Sequence, residues 1–172
     1  GYQPLANNTT GFDNIAIGDQ AMLNSTIGQY AIAIGTQAMM NAGESARNIG
    51  LGYRALANTT TGSDNIAIGY QTLMTNIDGD DNIAMGFAAL SNNTTGMDNI
   101  ALGAGSMIGN ITGFYNIAMG SNSLAKNTTG YENISIGVNS LANNISGIAS
   151  IALGRSALEN NTTNYNIALG QY

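Results

Sequence analysis

Glycine returns every 17 residues along this chain. It stands at Gly1, Gly18, Gly35, Gly52, Gly69, Gly86, Gly103, Gly120, Gly137 and Gly154, and the next step, to Gly170, is 16. A fixed period of this length marks a repeat architecture, and it limits the fold before any single residue does. A 17-residue unit is too short for two helices and a connection, but it holds two short strands and two turns. The consensus is G-Y-Q-x-L-x-N-N-T-T-G-x-D-N-I-A-I, and ten units fill residues 1–172 as a single domain. The chain is therefore read as all-β, a parallel β-solenoid with one unit per rung. Rungs stacked about 4.8 Å apart give a rod roughly 50 Å long.

Three apolar columns run through the repeats. Position 15 is always Ile, from Ile15 to Ile167, and position 17 is Ile, Leu or Met. Position 5 is Leu or Met, and position 16 is Ala except at Gly50 and Ser135. The N-I-A-I-G segment alternates with period two, so positions 15 and 17 share one face and position 16 takes the other. Bulky aliphatic columns are expected to face the interior, meeting position 5 from the opposite strand. That choice turns the Ala column outward: Ala16, Ala33, Ala67, Ala84, Ala101, Ala118, Ala152 and Ala168. A solvated strand face normally carries Thr, Lys, Glu or Gln. An Ala face therefore points to close approach by another rod, and these residues are the expected oligomer face.

Glycine is expected to supply φ > 0 at both corners, at position 1 and at position 11, as in Gly11, Gly62 and Gly96. The Asn column at position 14 reads either as a stacked amide ladder or as turn preference alone. Position 9 alternates Thr60, Ile77, Thr94, Ile111, Thr128 and Ile145, so large and small neighbours are expected to interdigitate in a two-rung unit. The third repeat breaks pattern with Gly43-Glu44-Ser45-Ala46-Arg47 and Gly50, and the tenth has lost a residue near Asn164-Tyr165.

Composition removes whole classes of function. The chain has no Cys and no His, which excludes the usual zinc sites, thiol catalysis and His general bases. Four basic residues and a net charge of −6 argue against nucleic acid as a partner. No apolar run approaches the roughly 18 residues of a membrane span. Carboxylates recur in a turn column (Asp13, Asp64, Asp81, Asp98, Glu132), which reads as architecture, whereas an active site would be a local break. No catalytic residue and no cofactor is expected. The weak metal candidate is Asp78, Asp80 and Asp81, which lack the ligand spacing of a calcium loop and read better as a solvated acidic turn.

Aromatic residues gather at two corners. Tyr2, Tyr53, Tyr70 and Phe87 occupy position 2, and Phe12, Phe114, Tyr115, Tyr131 and Tyr165 lie near the second corner. They either stack along the rod or anchor a partner; the second corner is the candidate binding surface. Sequons occur in the N-N-T-T-G loops, as at Asn7, Asn58, Asn93 and Asn127, and would be glycan acceptors only in a eukaryotic secreted protein.

At N-I-A-I-G, followed by small residues and Leu, the chain resembles the repeats in the heads of YadA-like trimeric autotransporter adhesins. The longer form, as in Gly52-Tyr53-Arg54-Ala55-Leu56 with Thr59-Thr60-Thr61-Gly62, is similar to tandem repeats of phage tail-fibre and bacterial surface fibre proteins. The 17-residue period is longer than that of the adhesin heads. The resemblance covers essentially the whole chain. It implies a left-handed β-roll, three parallel chains around a three-fold axis, and a place on a bacterial surface or a virion. Possible partners are then the chain itself and a host glycan or matrix protein. The expected function is a non-enzymatic structural or adhesive fibre segment. Two alternatives stand beside it: an ice-binding or other repetitive-face solenoid, and a self-assembling filament subunit, encouraged by Gly170-Gln171-Tyr172 opening a further rung.

Overall fold

The structure is a computed structural model that describes residues 1–171. Tyr172, the last residue of the Gly170-Gln171-Tyr172 segment expected to open a further rung, lies outside the described residues. Each repeat contributes one three-residue strand, from β1 (Ile15–Ile17) and β2 (Ile32–Ile34) through β3 (Ile49–Leu51), β4 (Ile66–Ile68), β5 (Ile83–Met85), β6 (Ile100–Leu102), β7 (Ile117–Met119), β8 (Ile134–Ile136) and β9 (Ile151–Leu153) to β10 (Ile167–Leu169). They form one ten-stranded parallel sheet in sequence order. The register is strict: Ile66 pairs with Ile83, Ala67 with Ala84 and Ile68 with Met85. The shortened last repeat keeps the match, pairing Ile151 with Ile167. The chain is a β-solenoid of ten rungs.

The expected second strand is absent among the described residues. Positions 3, 5 and 13 take left-handed φ, +46° to +61°, in nonglycine residues of almost every rung, and a strand cannot run through them. Such residues cost roughly 1–2 kcal/mol each in isolation. Hydrogen bonds along the rod hold them in place. The Leu56 N–H donates to Thr72 O at 3.0 Å, and the Leu73 N–H to Ala89 O at 3.0 Å. The wall opposite the sheet is thus built from successive turns, bonded rung to rung.

The polarity of the strand is the reverse of the one expected from residue size. Ala33, Ala67, Ala84, Ala101, Ala118 and Ala152 are wholly buried, and Ala16 and Ala168 pack against the same core at its two ends. Positions 15 and 17 point outward. The interior column opposite Ala is position 5, with Met22, Met39, Leu56, Leu73, Leu90, Met107, Leu124 and Leu141 fully buried. The reason is width. A Cβ built on Gly50 would lie 3.0 Å from Met39 Cγ of its own rung, so the coil has room for a methyl group and not for an Ile. Ser135, the one hydroxyl in the Ala column, finds hydroxyl partners inside: Ser123 Oγ donates to it at 2.7 Å, and it also bonds Ser140.

The two glycine columns serve different needs. Position 1 glycines have φ from +126° to +139°, as expected of a corner that ends a strand. Position 11 glycines have no positive φ; what they require is space. A Cβ on Gly96 would sit 2.4 Å from Asn93 Oδ1 and 2.4 Å from Gly113 O. Position 9 does not interdigitate either. Ile77, Ile111 and Ile145 are exposed, and the intervening threonines bond along the rod to the next rung at the surface, as Thr94 Oγ1 does to Ile111 O at 3.0 Å.

Candidate interaction surface

Polar side chains line the interior as two amide ladders. At position 14, Asn99 Nδ2 donates to Asn82 Oδ1 at 3.0 Å and to Gly113 O at 2.8 Å. Its own Oδ1 accepts from the N–H and Nδ2 of Asn116, both at 3.1 Å. This unit repeats from Asn48 to Asn133, so the column is a ladder. A second ladder, not expected from the sequence, runs through position 8: Asn93 Nδ2 donates to Asn76 Oδ1, Asn110 to Asn93 and Asn127 to Asn110, at 2.8–2.9 Å. The N-N dipeptide of the consensus was its signal. Apart from Asn127 Oδ1, which is buried without a partner, these groups spend their hydrogen bonds on each other and on the backbone, which suits architecture. Two of the four sequons named above are therefore closed, because Asn93 and Asn127 are buried ladder members.

Outside, the face that the fold leaves open is the sheet itself. Columns 15 and 17 present Ile, Leu and Met over ten consecutive rungs without a single charged or polar residue. Ile34, Met85, Met119 and Ile136 are exposed, and the rest of the central columns are half-buried by neighbours above and below. Positions 13 and 2, two residues before and two residues after the outward strand positions, border this stripe.

The position 13 border carries most of the charge beside the stripe, with Asp19 and Arg155 on the position 2 border. Arg47, from the irregular third repeat, reaches the next rung and grips Asp64 with two bonds, Nε to Oδ1 at 2.6 Å and Nη2 to Oδ2 at 2.7 Å. These bonds hold the Asp64 carboxyl below its ordinary range; partial loss of hydration opposes them and the charge of Arg47 adds to them. Asp81 is pushed up, first by lost hydration and then by the charges of Asp64, Asp98 and Asp80. Asp80 Oδ1 accepts the Ser63 N–H at 2.7 Å. Asp78, Asp80 and Asp81 do not converge: among the described residues, no group of three or more acidic side chains is placed to hold a metal ion.

The aromatic residues of the second corner are not brought together into one patch. Phe114 stacks on Tyr131 with centroids 4.7 Å apart and planes 5° from parallel, and it meets Tyr115 edge-on. Phe12 meets Tyr30 edge-on, six rungs away, and Tyr165 stands exposed on the last rung. At position 2, Tyr53, Tyr70 and Phe87 form a continuous stack with both spacings 5.2 Å and planes 20° and 1° from parallel. Rings stacked along the rod cover each other's faces and show their edges to solvent. A sugar that needs a free ring face finds few here.

The geometry thus offers a rod whose interior joins an Ala and Leu/Met core to buried amide ladders, and one long aliphatic outer face. No family model, curated protein or solved structure matches this chain. No described helix is long and apolar enough to cross a membrane. What the chain does rests on its own residues.

Proposed function

We propose that this chain is a segment of a non-enzymatic surface fibre. In this reading it is a homotrimer of parallel rods of the adhesin-head or tail-fibre kind, carried outside a bacterial cell or on a virion. It spaces and stiffens the fibre, and its partner there is a host glycan or matrix protein. The observation that carries the reading is the uninterrupted aliphatic sheet face, ten rungs long and free of charge. A lone rod has no use for it, since the largest apolar patch on a typical monomer is about 300–600 Å². The repeated carboxylate column and the spent amides support a structural role over a catalytic one.

Light scattering on a size-exclusion column tests the proposal. A mass of three 17.7 kDa chains is the expected result. A single-chain mass overturns it. The ice-binding alternative asks for a regular array of free hydroxyls, whereas Thr60, Thr94 and Thr128 donate to carbonyls of the next rung. Thermal hysteresis in solution would restore that alternative.

A further inference from the structure

The irregular third repeat gathers polar atoms that the rest of the rod pairs. In a regular rung the position 11 carbonyl accepts two side-chain amides. Gly96 O takes Asn82 Nδ2 at 2.9 Å and Asn93 Nδ2 at 2.8 Å. On the third rung that carbonyl is Ser45 O. The residues that would supply its donors are Ala31, at position 14 of the rung below, and Ala42, at position 8 of its own rung. Both are buried and offer only methyl groups.

The same exchange strands a donor. Asn65, Asn82, Asn99, Asn116 and Asn133 each direct the backbone N–H to the amide oxygen 17 residues back, at 2.8–3.1 Å. The Asn48 N–H meets Ala31 at that place. Three hydroxyls beside the break are also unmet: Ser25 Oγ, Ser45 Oγ and Thr59 Oγ1 are buried with no partner. Ser25, Ala42 and Thr59 occupy position 8 on three consecutive rungs, so the second ladder is broken here as well. These atoms converge. A Cβ on Gly28 would lie 2.8 Å from Ser25 Oγ and 2.9 Å from Ser45 O.

Buried polar groups are nearly always paired, and ordered water is the usual partner where side chains supply none. The mixture of groups selects water over an ion. The Asn48 N–H repels a cation, and Ser45 O repels an anion. A lost carboxamide frees roughly the share of one water, about 30 Å³.

We propose that ordered water is built into the core of this rod, with one molecule standing where Ala31 lacks an amide. It accepts from the Asn48 N–H and donates to Ser45 O and Asn14 Oδ1, the bonds that a position 14 amide makes on regular rungs. The hydroxyls of Ser25, Ser45 and Thr59 carry the site on into the position 8 column. The site is internal, so the inference holds whether or not rods associate.

A high-resolution crystal structure of the wild-type protein should show one water peak within about 3.2 Å of all three atoms. Amide hydrogen exchange gives a second readout. Asn48 and Asn133 lie on the third rung from opposite ends, and the Asn133 N–H donates to a side-chain oxygen at 3.0 Å. The Asn48 amide, bonded to water, should exchange at least about tenfold faster. Ala31→Asn restores the ladder, so it should remove the peak and close the difference in exchange. A wild-type structure with no density beside Ser45 O and Asn48 N would overturn the inference. So would density too heavy for water, an Asn48 amide as slow as that of Asn133, or a peak that persists in Ala31→Asn. None of these results bears on the fibre reading, which the solution mass decides.

Discussion

Asn99 shows how much one side chain does in this molecule. It donates to two acceptors and accepts from two donors, all buried. Asn99→Ala strands those partners, and each buried polar group left unmet costs roughly 1–3 kcal/mol. A clear drop in the urea midpoint is expected. The reverse substitution is available at position 8, where Thr59 Oγ1 is buried without a partner just below Asn76. Thr59→Asn places an amide oxygen where Asn76 Nδ2 can donate, so it should raise stability by about 1 kcal/mol, the net worth of one such bond. Charge at the border acts with opposite signs at two carboxylates. Asp64 has a lowered pKa, so its stabilisation is complete above the ordinary carboxylate pKa and is lost as the pH falls through the lowered value. Asp64→Asn should therefore lower the thermal midpoint at neutral pH and match wild type in strong acid. Asp81 has a raised pKa, so its charged form costs stability at neutral pH and protonation on acidification removes that cost. Asp81→Asn should lift the neutral-pH midpoint slightly. Both residues are well solvated, and both shifts should shrink with added salt.

At the scale of one rung, the repeat is a closed unit whose two walls differ. Leu90 at position 5 is fully buried, and Leu90→Ala should cost about 2–5 kcal/mol, as core truncations do. Excision of residues 86–102 removes one whole unit and leaves Met85 running into Gly103 as it now runs into Gly86. A shorter folded rod is expected from circular dichroism, whereas removal of about half that length should abolish folding, because it turns one wall against the other. The period, the parallel sheet and the position 14 ladder were all legible in the sequence. Alternation tells which residues share a face, but it is silent on which face lies inside. Residue size was taken to decide that, and it misled. The usable sign was tolerance. Column 16 admits only Ala, Gly and Ser, the mark of a steric ceiling, while column 17 exchanges Ile, Leu and Met freely, as an open surface allows. The left-handed residues at positions 3, 5 and 13 carried no such sign, since Gln, Leu and Asp there look ordinary. Neighbouring rungs impose that conformation, and it is written in no single residue.

Across the whole molecule, every backbone bond of the sheet runs along the rod, and each rung touches only the one above and the one below. Central rungs have two bonded neighbours and terminal rungs one. Amide hydrogen exchange should therefore slow from the ends to the middle, with Ile83, Ile100 and Ile117 among the last to exchange. The candidate surface was half legible at this scale. Sequence reasoning expected an outward strand face to meet another rod and took that face to be the Ala column, whereas the Ala column is buried and positions 15 and 17 face outward. The aromatic corner, strung out from Phe12 on the first rung to Tyr165 on the last, does not form one patch. The direction of those backbone bonds also sets how the rod answers force. Load applied to one chain at its two ends falls on one rung's bonds at a time, like a zip opened from its end. Each rung that yields frees 17 residues, about 58 Å of extended chain. A single rod pulled this way lengthens in repeated small steps at low tension, whereas a sideways push meets all ten rungs together. Such a rod holds its shape against bending flow and gives way gradually, not abruptly, when it is tugged from its tip.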